Sequence, residues 1–90
     1  MSYIVNLSQQ ALVDSDRLER DEPKAFLKFQ AFLIELAEHP KTGTGHPEAL
    51  KGTTDCWSRR ISKKHRLIYR IYETEVVVLV ISAYGHYGDK

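Results

Sequence analysis

Apolar and polar positions alternate at the start of the chain. Tyr3, Val5 and Leu7 fall on one side and Ile4 and Asn6 on the other, which predicts a half-buried strand over Tyr3–Leu7. The period then changes. Ser8 can cap a following helix through its hydroxyl, and Ala11, Ser15, Leu18 and Glu22 share one weakly apolar helical face. Pro23 suits the first turn of a second helix, where its missing N–H costs nothing. From there Phe26, Phe29, Leu33 and Leu36 recur at helical spacing, and Ala25 and Phe32 widen the stripe. Lys24, Lys28, Glu35 and Glu38 take the polar side, and Pro40 ends the helix by favouring extended backbone at His39. Such an aromatic stripe belongs to a core. Two helices meeting at Glu22–Pro23 predict a helical hairpin lying on a sheet.

The stretch Lys41–Asp55 carries Gly43, Gly45, Pro47 and Gly52 and reads as loop and turns. Three runs rich in β-branched and aromatic residues follow: Trp57–Ile61, Arg66–Tyr72 and Val76–Tyr84. Ser62–His65 and Glu73–Glu75 are the turns between them, and connections this short imply antiparallel neighbours. Val76–Ile81 is continuously apolar, which predicts an interior strand covered on both faces. The order is β-α-α-β-β-β. The expected class is α+β, a two-helix hairpin packed on one face of a mostly antiparallel sheet.

Ninety residues suit a single domain spanning 1–90 with a modest core. No apolar run approaches the roughly 18–20 residues that cross a bilayer, and the N-terminus lacks a basic-then-apolar signal pattern. Cys56 is the single cysteine, so neither an internal disulfide framework nor a multi-cysteine zinc site is expected. A small cytoplasmic domain without membrane association is the expectation.

Charge changes the picture only when it is mapped. The net charge of +1 argues against a nucleic-acid binder, but residues 1–45 hold five basic and seven acidic side chains, and residues 46–90 hold eight and five. Within Trp57–Arg70 the residues Arg59, Arg60, Lys63, Lys64, Arg66 and Arg70 follow one another with no acid between them. With Trp57, His65 and Tyr69 interleaved, this stripe could bind a phosphate backbone and stack on bases. It equally suits a solvated hairpin whose charges blunt a sheet edge.

Candidate chemistry lies at both ends of that stripe. Cleaving RNA without a metal needs a base for the ribose 2′-OH, an acid for the 5′-oxygen, and positive charge on the transition state. Glu48 could be the base, His86 the acid and Arg66 the charge, with Tyr87 stacking on a base or bonding near the phosphate. Each also has a plain reading as a solvated or ion-paired surface residue. His46, His65 and His86 lack the helical spacing usual for metal ligands, so no metal site is expected. Cys56 beside Trp57 reads as a small strand-entry residue rather than a nucleophile.

Four ordered motifs then carry a resemblance. They are Gly43-Thr-Gly-His-Pro-Glu-Ala-Leu-Lys51, Cys56-Trp-Ser-Arg-Arg-Ile61, His65-Arg-Leu-Ile-Tyr69 and Gly85-His-Tyr87. In sequence and spacing this half of the chain resembles the YoeB/Txe toxins of the RelE superfamily. The resemblance implies a fold similar to microbial ribonucleases and a ribosome-dependent mRNA interferase from a type II toxin–antitoxin module. Such a toxin cleaves mRNA in the ribosomal A site and is held inactive by a cognate antitoxin, usually of the YefM/Phd type. It would reach operator DNA only through that antitoxin, need no cofactor, and possess in Phe26–Leu36 or the basic hairpin a surface for a homodimer.

The catalytic positions that the resemblance implies are Glu48, Arg66, His86 and Tyr87. Its RNA or ribosome contacts are His46, Lys51, Arg59, Arg60, Lys64 and His65, with Arg59 and Arg60 pointing to opposite faces of their strand. Two departures stand out: Gly88, Asp89 and Lys90 follow the His-Tyr pair, and Ala83-Tyr84-Gly85 precedes it where some relatives carry an arginine. The alternative function is a catalytically inactive module that binds RNA, ribosome or antitoxin and acts by occupancy.

Overall fold

A computed structural model describes residues 2–85. Its elements follow the expected order with one addition: β1 (Ile4–Leu7), α1 (Gln9–Asp21), α2 (Pro23–Glu38), β2 (Glu48–Ala49), β3 (Cys56–Arg60), β4 (Arg66–Tyr72) and β5 (Val77–Ser82). The sheet order is β1-β5-β4-β3-β2. β1 runs parallel to β5, and every other pair is antiparallel. The expected α+β class with a helical hairpin on a mostly antiparallel sheet is what the chain forms.

Local chemistry explains the helices. The Ser8 hydroxyl accepts from the Ala11 N–H at 3.0 Å, satisfying an orphan donor of the first turn, and donates to the Ile81 carbonyl at 2.7 Å. One side chain thus starts α1 and ties it to β5. Asp14, rather than Ser15, completes the buried face of α1 with Ala11 and Leu18. Its carboxylate is answered by Gln10 at 2.8 Å and by the Ala83 N–H at 2.9 Å. The helix-facing core joins Ala25, Phe29, Phe32 and Leu36 of α2 to Leu67, Tyr69 and Ile71 of β4 and to Val78 and Val80 of β5.

Three strand expectations change. The glycine-containing loop includes the two-residue strand β2, whose Glu48 and Ala49 lie opposite Ser58 and Trp57. Only the ladder with β3 makes this pair a strand, and local pattern carries no trace of it. Val76 belongs to the turn, with φ 57°, and β5 stops at Ser82. β5 does lie inside the sheet, between β1 and β4, but it is not covered on both faces. Val78 and Val80 are fully buried under the helices, whereas Val77, Leu79 and Ile81 are half-buried on the face without helices. Both helices pack on the same side, so the second face is left to other contacts.

Candidate active site

Register assigns side chains to that helix-free face. Arg66 and Arg60 are paired across β4 and β3, Ser58 lies opposite Ile68 on one side and Glu48 on the other, and Arg70 lies opposite Cys56. Because alternate residues of a strand share a face, Glu48, Ser58, Arg60, Arg66 and Arg70 all project from it. Glu48 is the one acidic residue within the described strands. One carboxylate therefore shares that face with three arginines.

The closest approach is between the Glu48 carboxylate and an Arg66 terminal nitrogen, 3.7 Å apart. That is an ion pair at the loose end of contact, longer than a hydrogen bond. Glu48 is 56% exposed and Arg66 20% exposed. Buried Arg66 Nε and Ser58 Oγ have no hydrogen-bond partner among the described residues. Buried polar atoms without partners are costly. Arg60 is exposed beside Arg66, and its backbone N–H donates to the Gly45 carbonyl at 2.7 Å. Lys28 of α2, Gly45, His46 and Arg60 line an open pocket of about 350 Å³.

The loop that delivers Glu48 is held from within. Arg59 is completely buried, and its five donors are all spent on protein. Nε donates to the Tyr69 hydroxyl at 3.2 Å, and the terminal nitrogens reach Glu35 at 2.6 Å and the carbonyls of His39, Thr42 and Thr44 at 2.7, 2.8 and 3.3 Å. The Tyr69 hydroxyl donates to the Pro40 carbonyl at 2.6 Å. Hydrogen bonds from Thr44, aided by Arg59 and opposed by burial, hold the Glu35 carboxyl below its ordinary range. Gly45, at φ 80°, then passes so close to the Phe32 ring that a Cβ would collide with it.

Two expected RNA or ribosome contacts are thereby corrected. Arg59 faces the helices and is enclosed, so it cannot meet a substrate while the fold is intact. His65 is 3% exposed. Its Nε2 lies 2.5 Å from the Glu22 carboxylate and its Nδ1 accepts the Gly85 N–H at 2.9 Å. An Nδ1 that accepts carries no proton, so Nε2 is the donor to Glu22. That hydrogen bond holds the Glu22 carboxyl below its usual range. Tyr84 packs on the imidazole at 4.2 Å, and Arg17 caps the Tyr84 ring at 3.8 Å.

Gly85 is the last described residue, and it is bonded on both sides: its N–H to His65, its carbonyl to the Arg66 N–H at 2.9 Å. The chain therefore enters position 86 from a residue locked to the backbone of Arg66. His86 and Tyr87 themselves lie outside the described residues, as does the Gly88-Asp89-Lys90 tail. Lys51 is exposed in the turn after β2; Lys64 is exposed in the β3–β4 turn, 3.7 Å from Glu22. The face thus collects Glu48, Arg60 and Arg66, with His46 at its margin, while Lys51 and Lys64 stand on turns.

Sequence reasoning gave Ser58 no role, named Arg70 only as part of the basic stripe, and missed Glu22 and Glu35 behind this face. Strand parity could have found the first two, since Ser58 and Arg60, like Arg66 and Arg70, are separated by an even number of residues. No local signal marks Glu22 or Glu35, whose partners are 43 and 24 residues away. Among the described residues no group of three or more His, Cys, Asp or Glu side chains converges as a metal site requires. A larger cavity of about 670 Å³ lies between the start of α2 and the β3–β4 turn, lined by Pro23, Ala25 and Ile61 among others. Neither Glu48 nor Arg66 is among its lining residues.

Comparison with known proteins places the chain in a family and supports its fold. Residues 7–87 match the family model described as YoeB-like toxin of bacterial type II toxin-antitoxin system. Toxin YoeB of Synechocystis is 34% identical over 70 residues, covering 77% of this chain and 79% of that protein. The YoeB/ParE toxin from Agrobacterium tumefaciens superposes with a TM-score of 0.85 at 28% identity, covering 93% of this chain and 99% of that one. Staphylococcus aureus YoeB, solved as a dimer and in complex with YefM, gives TM-scores of 0.82 and 0.78 at 28% identity, each over 97% of this chain and 100% of the other. With the family model spanning most of the chain and the fold shared with these structures, the chain belongs to the YoeB-like toxins of bacterial type II toxin–antitoxin systems.

Proposed function

We propose that this toxin is a ribosome-dependent endoribonuclease that cleaves mRNA in the A site by metal-independent acid–base chemistry and so stops translation. Glu48 takes the proton of a ribose 2′-OH. The freed oxygen attacks the adjacent phosphorus, the bond to the 5′-oxygen breaks, and His86 donates a proton to that leaving oxygen. The products are a 2′,3′-cyclic phosphate and a 5′-hydroxyl, with Glu48 protonated and His86 deprotonated. Arg66 stabilises the charge that develops on the phosphoryl oxygens, and Tyr87 orients the nucleotide.

The observation that carries this reading is the convergence of Glu48 and Arg66 on one face, with Arg66 Nε lacking a partner among the described residues. A base and a phosphate-binding donor set are thereby within one nucleotide's reach of each other. Ribosomal positioning supplies the substrate orientation that so small a domain lacks. A YefM/Phd-type antitoxin is the proposed inhibitor, by analogy with the complex formed by S. aureus YoeB. Cytoplasmic action accords with the absence, among the described residues, of a helix long and apolar enough to cross a membrane.

The test is tightly repressed expression of wild type, Glu48→Gln and His86→Gln, followed by primer extension on cellular mRNA. New 5′ ends near start codons, dependent on translation and absent in both variants, are expected. Growth arrest without new ends in any of the three would replace the nuclease with a module that blocks the ribosome by occupancy.

A further inference from the structure

The basic stripe contains one arginine that neither the fold nor the proposed chemistry has used. Arg59 is consumed by the loop, Arg66 faces Glu48, and Arg60 borders the cavity beside His46. Arg70 stands on the same face as Arg66, two pleats further along β4. It takes part in no ion pair among the described residues, and its buried Nε has no hydrogen-bond partner among them. Its strand neighbours on that face are Ile68 and Tyr72, and its partners across the ladders are Cys56 and Leu79. A half-buried cation set among apolar side chains loses hydration without recovering it from a carboxylate. Tyr72 answers part of that cost, with the Arg70 guanidinium carbon 4.9 Å from its ring centroid.

We propose that Arg70 is a phosphate-binding residue for single-stranded RNA, and that the bound strand runs along β4 from the Glu48–Arg66 centre towards Tyr72. This rests on the nuclease reading for the identity of the strand. Four residues of antiparallel strand separate Arg66 from Arg70 by about 13–14 Å. At about 3.4 Å per stacked nucleotide that span holds roughly four, and fewer if the strand is extended. Arg70 would therefore hold a phosphate outside the scissile position. Its planar fork is preorganised by the Tyr72 ring, and the exposed part of that ring offers a stacking surface for a base. An acidic peptide would satisfy the charge but has no use for the aromatic, and it would not follow from the row that begins at the cleaving pair.

The test measures anisotropy of a short single-stranded RNA, 2′-O-methylated throughout so that it cannot be cut, over a series of salt concentrations. Glu48→Gln is the background for every protein, with Arg70→Ala, Arg70→Lys and Tyr72→Ala added singly. Arg70→Ala is expected to weaken binding on the order of threefold to tenfold at low salt. It should also reduce the slope of log K against log salt by about 0.7, the counterion release of one single-strand phosphate. Arg70→Lys should keep the slope, and Tyr72→Ala should lower affinity without changing it. An unchanged slope in Arg70→Ala, or no measurable RNA binding by the background protein, overturns the proposal. So does unaltered RNA binding coupled with weakened antitoxin binding, which makes Arg70 a protein contact. Should Arg70→Ala melt well below its background, Arg70→Gln, which keeps bulk and loses charge, reads the slope instead. Cleavage by the otherwise wild-type toxin on programmed ribosomes is scored separately. Its absence defeats the nuclease reading, whereas an unchanged slope with cleavage intact defeats only the role of Arg70.

Discussion

Arg59 and Arg60 are neighbours on one strand, identical in chemistry, and they do opposite things. Arg59 points under the helices, is completely buried and spends its donors on Glu35, Tyr69 and three loop carbonyls. Arg60 points to the other face, is exposed and faces its cross-strand partner Arg66. The pleat alone separates them. One arginine builds the loop that carries Glu48, and its neighbour stands in the site to which that loop leads. A basic stripe in sequence is thus two half-stripes in space, one of them internal.

The comparison can be broken most strongly at the site. Arg66→Ala should lower cleavage on programmed ribosomes by roughly 10²- to 10³-fold, the usual effect of losing one transition-state donor. Its urea midpoint should stay near that of wild type, because the Glu48 pair is loose and its carboxylate partner is more than half exposed. A large loss of stability would mean that the helix-free face holds the fold together. Arg59→Ala should do the reverse, costing about 3 kcal/mol in urea unfolding by leaving a buried network without its hub. Arg60→Ala should stay within about 0.5 kcal/mol of wild type. Equal destabilisation by the two would erase the distinction between the faces.

His65 sharpens the same contrast from behind. It is buried like Arg59, yet it holds Gly85 beside Arg66, so it acts on the site through backbone position. Asn retains an acceptor near the Nδ1 position, and Ala retains none. Cleavage should fall in His65→Ala and recover substantially in His65→Asn, with thermal melts of both variants recorded alongside. Recovery of the melting temperature without recovery of cleavage would remove the positioning role.

The smallest effect is acid lability. Glu35 and Glu22 are both held below the ordinary carboxylate range, the first chiefly by Thr44 and the second chiefly by His65. A carboxyl whose folded pKa is depressed stabilises the fold fully above its unfolded value of about 4.3, and that contribution is lost as pH falls through the folded value. The melting temperature should therefore be level from neutral pH to about 5 and decline below about 4.3. Glu35→Gln should flatten the decline from a lower starting point. An acid limb unchanged in both Glu35→Gln and Glu22→Gln would place the sensitivity elsewhere.

Periodicity was sufficient for what depends on local burial. The boundaries of the helices follow from Ser8, Pro23 and Pro40, and the class of the fold follows from one strand, two helices and three strands joined by short turns. The same residues that set the motifs place Glu48 and Arg66 in a recognisable order. Local pattern could not show that Glu48 lies in a strand, because β2 exists only through its pairing with β3. It misjudged β5 because an apolar run reports low polarity on both faces and says nothing of how many faces a helix covers. It assigned Arg59 and His65 to the surface because charge and polarity suggest solvent, whereas their partners come from distant segments. The chain by itself determined which elements form and which chemical groups are available. Tertiary structure alone decided which face each group occupies and which donors remain unspent, because hydrogen bonding between remote residues is settled by packing and not by neighbours in sequence.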